Sequence, residues 1–189
     1  MANVDNPYGF WPTRHISGAP YNGQANRYAL LAADGTATFT GDLVIIEGTA
    51  TAEGVPSVEQ ATAGATNIAG PVIGFEVDPT NLQLLYRVGA TLRYALVCDD
   101  PWMCIRAQED SDGGALAITE VGENCDIIVA AGNTTSGISA MEIDSSTHTA
   151  NAAQIRIIRL LPVPNNAVGT NAQWEGLINE HAYKSTSGT

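Results

Sequence analysis

The sequence contains very few positive charges. Only 8 of its 189 residues are Lys or Arg, against 20 Asp and Glu, so the formal net charge is −12. Because proteins that bind nucleic-acid backbones depend on clustered Lys and Arg, this composition excludes broad nucleic-acid binding. Charged residues make up 15% of the chain, below the roughly 25% of a typical soluble domain. We therefore expect a surface that is neutral and polar, or one that is covered by partners.

Cysteine is also scarce. Cys98, Cys104 and Cys125 are an odd set, which does not suit a disulfide framework. Cys98 and Cys104 lie six positions apart, and this spacing does not match the short Cys-Cys spacing of a structural zinc site. No His has a spacing that would pair it with a cysteine nucleophile or build a metal cluster. We expect three small buried core residues, and neither a metal nor a cofactor.

Long hydrophobic runs are missing as well. No segment approaches the roughly 18 apolar residues that span a membrane, so no membrane partner is expected. The first residues, MANVDNPYGFW, lack the basic stretch and apolar core of a signal peptide. We expect synthesis in a cytoplasm, with any release by a route other than ordinary secretion.

Recognisable catalytic motifs are absent too. The sequence has no Gly-rich phosphate loop with a Lys and no Gly-x-Ser-x-Gly elbow. Asp110-Ser111-Asp112-Gly113-Gly114 resembles the start of a calcium loop, but Val121 occupies the position that requires Glu. We interpret this stretch as a tight acidic turn. The sequence predicts a protein that is not an enzyme.

The chain does contain an unusual N-terminal segment. Residues 1–28, here called the N-terminal arm, are broken by Pro and Gly and predict no regular element. The whole chain has 3 Phe, 3 Trp and 6 Tyr, and the arm holds five of these residues: Tyr8, Phe10, Trp11, Tyr21 and Tyr28. A string of exposed aromatic side chains is costly, so we expect them to be buried. The surface that covers them could belong to the same subunit, a neighbouring subunit or another protein.

Residues 29–189 predict a β-rich body. Short apolar runs alternate with turn residues, which favours an all-β fold, a single β-barrel or sandwich-like domain with an extended arm and long loops. Two stretches, 49–70 and 162–172, predict long loops, the first with room for one short helix. The candidate strands are 28–32, 36–40, 42–48, 71–77, 82–87, 92–98, 102–108, 115–121, 126–131, 138–143 and 154–161.

Three local predictions can be checked against a structure. The turn Asp99-Asp100-Pro101 predicts a hairpin between 92–98 and 102–108. In 154–161 the apolar phase changes, which indicates a strand with a bulge or a helical turn, and the Ile content favours the strand. In 174–181 the spacing is helical but Gly176 disfavours a helix, so strand and helix both stay open.

The arm carries a family resemblance. Asn6-Pro7-Tyr8-Gly9-Phe10-Trp11-Pro12-Thr13-Arg14-His15 resembles the opening of small tailed-bacteriophage structural proteins, the head decoration or cement proteins. The resemblance covers most of the chain in order through short matches, but not residues 49–70. The further matches are 40–44, 72–76, 99–110, 136–144, 154–157 and 177–181.

The resemblance implies a non-enzymatic β-rich protein on the outer surface of a phage capsid. It implies a homotrimer that binds the major capsid protein near three-fold positions and stabilises the head by bridging neighbouring capsomers. The location would be the virion, after synthesis in the host cytoplasm. On this basis, the residues expected to contact the capsid or a neighbouring subunit are Tyr8, Phe10, Trp11, Arg14 and His15.

Two other functions are compatible with parts of the sequence. An extracellular β-sandwich module without enzymatic activity could bind carbohydrate, with Trp102 and Trp174 as exposed stacking platforms. A small metal-dependent barrel enzyme would need a cluster of His ligands, and three scattered His residues do not supply one.

Overall fold

The computed structural model describes residues 3–185 and is all-β, which confirms the predicted fold class. Three single-turn 3-10 helices, Ile118–Glu120, Ser145–Thr147 and Ala182–Lys184, are the helices of these residues. The strands are β1 (Trp11–His15), β2 (Asn26–Leu30), β3 (Leu43–Ala50), β4 (Pro56–Gln60), β5 (Ile68–Phe75), β6 (Arg93–Val97), β7 (Met103–Gln108), β8 (Asn124–Cys125), β9 (Ile127–Ile128), β10 (Glu142–Ile143), β11 (Ile155–Leu160) and β12 (Gln173–Ile178).

Five strands that follow one another in the sequence close into a barrel. Their order around it is β2-β4-β3-β5-β6, and β6 pairs with β2 to complete the closure. All pairs are antiparallel except β2 with β4, which meet in parallel at Ala29 and Ser57. Most of the inward side chains are Val or Ala, which suits a narrow barrel, and Tyr28 and Leu30 are the larger ones. The inward valines are Val44, Val58, Val72 and Val97.

The remaining long strands form a second, open sheet. Its order is β1-β7-β12-β11-β8, and the short ribbon of β9 and β10 lies beside it. Its core contains larger side chains than the barrel, including Phe10, Ile105, Met141 and Trp174, all of them buried. The molecule therefore has two hydrophobic cores of different character.

Strands β3 and β5 separate these two cores and contribute to both. Leu43 belongs to the sheet core and Val44 to the barrel core, and the same alternation holds for Ile68 and Ala69. Successive side chains of a strand point to opposite faces, so a strand between two cores must be apolar on both. This explains why 43–46 is a continuous apolar run rather than an alternating one.

Residues 49–70 were expected to form a long loop, and this expectation is wrong. Strand β3 continues to Ala50, β4 occupies Pro56–Gln60, and β5 starts at Ile68. Five residues of this stretch are completely buried: Ser57, Val58, Ala61, Ile68 and Ala69. Its Ala, Thr and Gly composition concealed the strands, because small side chains suffice where the barrel wall is tightly curved.

The predicted hairpin is also wrong. Strand β6 pairs with β2 and β5 in the barrel, whereas β7 pairs with β1 and β12 in the open sheet. The Asp99–Pro101 turn therefore carries the chain from one sheet to the other. Of the candidate strands, 36–40 and 82–87 form isolated bridges only, Thr38 to Arg87 and Thr40 to Ile138. The candidate strand 115–121 contains a 3-10 turn instead.

Two other local predictions are settled by the pairing. Strand β11 has a bulge between Ile157 and Arg159, as the change of apolar phase indicated. The open question over 174–181 is answered by β12, a strand ending at Ile178. Gly176 is required there because an added Cβ would lie 2.7 Å from Ile155 Cγ2. Residues 162–172 form a loop, as predicted.

A glycine in the shared strand β5 tests how closely this strand approaches the end of its barrel neighbour β6. Gly70 has a φ of +148°, and a Cβ there would lie 2.0 Å from the Cys98 carbonyl oxygen. We expect Gly70→Ala to lower the free energy of unfolding by more than about 1 kcal/mol, measured by urea denaturation. Gly74→Ala is the control, because it lies in the same strand with nothing within 4 Å of the added Cβ. Equal stability of the two variants would contradict the expected close approach.

Candidate functional site

The first part of the N-terminal arm lies across the body of its own subunit. Residues 3–10, here called the strap, cross the open sheet and reach the loop 162–172. Asn3 Nδ2 donates hydrogen bonds to the carbonyl oxygens of Ala167 at 2.8 Å and Thr170 at 2.9 Å. Gln108 Nε2 donates to the Val4 carbonyl oxygen at 2.7 Å, and Gln108 Oε1 accepts from the Asn6 amide at 2.9 Å. The strap is therefore held by polar contacts.

The side chain of Tyr8 is held by one contact at its hydroxyl and another at its ring. Its hydroxyl donates to Gln173 Oε1 at 2.8 Å, and the guanidinium carbon of Arg106 lies 5.5 Å from the centre of its ring. Burial raises the pKa of Tyr8 to about 12, although the charge of Arg106 acts in the opposite direction. The phenol therefore remains a protonated donor at neutral pH.

Phe10 enters the core of its own subunit. The side chain is completely buried in the sheet core, and its amide donates to the Gly41 carbonyl oxygen at 2.8 Å. Gly9 permits this entry, because its φ is +73° and a Cβ would lie 2.5 Å from the same oxygen. Phe10 therefore presents no surface to a partner, and its role in this subunit is to attach the strap.

Trp11 and the rest of β1 form the edge of the open sheet. Trp11 is partly buried, pairs with Arg106 across to β7, and donates from Nε1 to the Tyr8 carbonyl oxygen at 2.9 Å. The outer edge of β1 is covered near its end, where the His15 amide donates to the Ala19 carbonyl oxygen at 2.8 Å. The chain therefore protects its own edge strand beyond Trp11.

Arg14 binds a buried carboxylate. Its Nη2 lies 2.8 Å from Glu175 Oε2, Arg159 Nε lies 2.6 Å from the same oxygen, and Thr13 Oγ1 donates to Oε1 at 2.9 Å. Glu175 is 1% exposed. Burial alone would raise the pKa of Glu175, but the hydrogen bonds from Arg14, Arg159 and Thr13 outweigh it and hold the pKa below its usual value. Arg14 therefore joins β1 to β12.

His15 lies at the other end of β1. Its Nδ1 is 3.2 Å from Asp100 Oδ2, in the turn that links the two sheets, and both side chains are partly exposed. The structure thus brings Tyr8 and Trp11 together and places Phe10 in the core. Arg14 forms an ion pair with Glu175, and His15 lies beside Asp100, both within the subunit. Strand β2 extends across the boundary between residues 28 and 29. Residues 1–2 of the arm and 186–189 of the body lie outside the described residues.

The sequence did not single out an exposed apolar loop, residues 76–92. Val77, Leu82 and Leu85 are 73%, 76% and 52% exposed, and the three line one shallow concavity. Val88 and Leu92 of the same loop are also exposed. Leu82 and Leu85 fall within the candidate strand 82–87, so the sequence shows the apolar run but not that its side chains are exposed. Exposed apolar side chains concentrated in one loop indicate a binding surface.

Two buried arginines hold this loop in place. Arg87 is completely buried and donates to Asp34 Oδ2 at 2.9 Å, to the carbonyl oxygens of Asp34 at 2.7 Å and Thr91 at 2.9 Å, and to two further carbonyl groups. Arg93 donates to the carbonyl oxygens of Leu84 at 2.9 Å and of Tyr86. A buried guanidinium that satisfies several backbone carbonyls fixes the path of a loop without regular structure. The apolar side chains are thus presented on a defined backbone.

The two tryptophans of the carbohydrate alternative have different environments. Trp174 is completely buried, so the expectation of an exposed platform there is wrong. Its place on β12 directs the ring into the sheet core. Trp102 is 56% exposed, and Lys184 Nζ lies 4.8 Å from the centre of its ring. Of the two stacking surfaces that the carbohydrate-binding alternative requires, only the one at Trp102 is exposed.

The three cysteines and the acidic turn at Asp110 take part in packing and local hydrogen bonds. Cys98, Cys104 and Cys125 are free and buried, as predicted, and burial raises the pKa of all three thiols. Asp110 Oδ1 accepts from the Ser145 amide and hydroxyl at 3.0 and 2.9 Å, which suits an acidic turn.

Within residues 3–185, no group of three or more His, Cys, Asp or Glu side chains could hold a metal ion. The helices of these residues are too short to cross a membrane.

Comparisons with known proteins give no relative for this chain. No family model matches it, and neither the curated proteins nor the solved structures contain a match.

Substitution of Phe10 tests whether the arm belongs to the fold of its own subunit. We expect Phe10→Ala to lower the free energy of unfolding by about 3–5 kcal/mol, because it leaves a cavity in the sheet core. Val4→Ala, on an exposed side chain of the same strap, should change stability by less than about 0.5 kcal/mol. Urea denaturation measures both. A Phe10→Ala protein as stable as the parent would show that the strap does not dock as described.

The partly buried carboxyl group of Glu142 should make the free energy of unfolding depend on pH. Glu142 Oε1 is buried without a hydrogen-bond partner among the described residues. Burial, together with the charges of Asp5, Asp110 and Asp112, raises the pKa of Glu142 to about 7. The folded state therefore favours the protonated form of Glu142. The stability that the fold gains from this protonation is complete below the usual pKa of 4.5 and is lost as the pH rises through about 7.

We expect Glu142→Gln to be more stable than the parent at pH 8 and equally stable at pH 4. The gain should be on the order of 1 kcal/mol, because solvent screens part of the repulsion at this partly exposed group. Thermal unfolding at the two pH values measures it. A gain of the same size at pH 4 would contradict a carboxylate origin.

Proposed function

We propose that this protein is a structural, non-enzymatic decoration protein of a bacteriophage head. It binds the major capsid protein on the outer surface of the capsid as a homotrimer and stabilises the head by bridging neighbouring capsomers. It is made in the host cytoplasm and becomes part of the virion. The family resemblance of the arm suggests this role, and the apolar loop is the observation that carries it.

The apolar loop has the properties of a protein-binding surface. Val77, Leu82 and Leu85 present apolar area to solvent, and Arg87 and Arg93 fix the backbone beneath them. Binding then requires little ordering of the loop, so less of the binding energy is lost as conformational entropy. Such preorganised apolar anchors, surrounded by polar groups, are typical of the residues that dominate interface energies.

The arm contributes to this role while it is attached to its own subunit, not as a detached segment. Tyr8, Trp11, Arg14 and His15 lie on the strap and β1, attached to the sheet by hydrogen bonds and ion pairs. Their exposed parts extend along one edge of the open sheet and can contact a neighbouring subunit or the shell. Three copies of each surface in a trimer would convert weak individual contacts into tight attachment through effective concentration.

Particle binding tests this function. Capsids from a phage lacking the gene would be mixed with purified protein, and coating would be measured by co-sedimentation and by the heat resistance of the particles. We expect the parent protein to coat and stabilise them. Leu82→Ser/Leu85→Ser should weaken binding by at least about tenfold, since it removes two apolar anchors. Ile118→Ser/Val168→Ser is the control, because it removes exposed apolar side chains outside the loop.

Light scattering on the same samples reports the assembly state. The expected mass is three times the 19.8 kDa of one chain. A parent protein that neither coats capsids nor occurs in purified virions would contradict the proposed function. Equal coating by both double variants would exclude the apolar loop as the contact surface. A monomer would contradict the trimer.

A further inference from the structure

A cleft of about 900 Å³ opens between the strap and the loop 131–140. Tyr8 and Trp11 form one wall, Asn133 and Ser136 lie on the other, and Arg106 of β7 also lines it. Its size falls within the roughly 300–1,000 Å³ of small-molecule sites. None of the residues that line it is Asp or Glu, although the chain has 20 acidic residues. The cleft is thus a neutral to positive region in a strongly acidic protein.

Arg106 differs from the other cations of the described residues. Each other Arg, and Lys184, donates at least one hydrogen bond to a protein acceptor. Arg106 has its contact with the ring of Tyr8 and, within residues 3–185, no acceptor for its five N–H groups. A partly buried guanidinium without a carboxylate partner is available to bind an anionic group through two parallel hydrogen bonds.

The neighbours of Arg106 add two further recognition elements. Tyr8 and Trp11 contribute aromatic side chains, which suit the flat apolar side of a ring. Asn133 and Ser136 contribute exposed amide and hydroxyl groups, which suit hydroxyls of a ligand. A single positive charge, aromatic side chains and neutral hydrogen-bonding groups together match a ring that carries one carboxylate and several hydroxyls.

We propose that this cleft binds a carboxylated saccharide, such as a uronic acid or sialic acid unit. The carboxylate would pair with Arg106, the sugar ring would lie against Tyr8 and Trp11, and hydroxyls would bond to Asn133 and Ser136. One guanidinium balances one carboxylate, whereas a phosphate dianion would keep an uncompensated charge. The inference does not depend on the proposed capsid role.

An acidic peptide fits this site less well. An extended peptide is normally recognised through backbone hydrogen bonds to an exposed sheet edge. Here the edge of β1 is closed by the bridge between Arg14 and Pro20, and Pro12 has no N–H to donate. The cleft therefore offers side chains rather than a backbone edge, which favours a saccharide.

A glycan array followed by calorimetry tests the proposal with the full chain. The probes are sialyllactose and trigalacturonate, with lactose and methyl-esterified trigalacturonate as their uncharged counterparts. We expect the charged probes to bind and the uncharged ones to bind at least tenfold more weakly. Arg106→Gln should reduce affinity for the charged probes at least tenfold, and Arg106→Lys should retain part of it. Arg27→Gln is the matched control, because Arg27 is exposed and paired with Glu76 on the barrel.

Four results would overturn the proposal. No carboxylated glycan on the array binds, or the methyl ester binds as well as the acid. Arg27→Gln lowers affinity as much as Arg106→Gln, which would indicate a general charge effect. A short glutamate peptide displaces the saccharide at equal concentration, which would assign the cleft to acidic peptides. Circular dichroism of each variant confirms that a loss of binding occurs in a folded protein.

Discussion

The shared wall of β3 and β5 is the constraint on which the rest of the structure depends. These two strands separate the barrel core from the sheet core and supply side chains to both. Both faces are buried at Leu43–Val44 and at Ile68–Val72, and there a one-residue slip of the whole strand would exchange the side chains of the two cores. The barrel and the open sheet are therefore fixed relative to each other, and surfaces on either one keep a constant relation to the other.

The scarce positive charges are used mainly inside the fold. Arg14 and Arg159 neutralise Glu175, and Arg87 and Arg93 hold the apolar loop through carbonyl oxygens. Most of the cationic side chains are therefore already paired within the fold. Breaking such buried contacts leaves uncompensated polar groups. Against this background, Arg106 is unusual, because its guanidinium has no hydrogen-bond acceptor within residues 3–185. In a chain with 8 Lys and Arg residues, a single unpaired cation is therefore informative.

Much of the fold follows from patterns that the sequence displays directly. Alternation and β-branched content predict the all-β class, and the phase change in β11 predicts its bulge. The partners of β6 and β7 could not be predicted, because the turn at Pro101 is compatible with a hairpin and with a change of sheet. At the site, the aromatic segment is visible in the sequence. The pairing of Arg14 with Glu175 is not, since it depends on residues 161 positions apart being brought together.

The order of the strands along the chain has a consequence for synthesis. The barrel uses the contiguous stretch from β2 to β6, so it can close as soon as Val97 has left the ribosome. The strap and β1 come first in the chain, yet their partners are Gln108, Glu175 and the loop 162–172. The strap and β1 are therefore translated well before their partners and stay unpaired until Glu175 has been made. Their docking follows closure of the barrel, and chaperones in the cell would encounter this aromatic segment while it is still exposed.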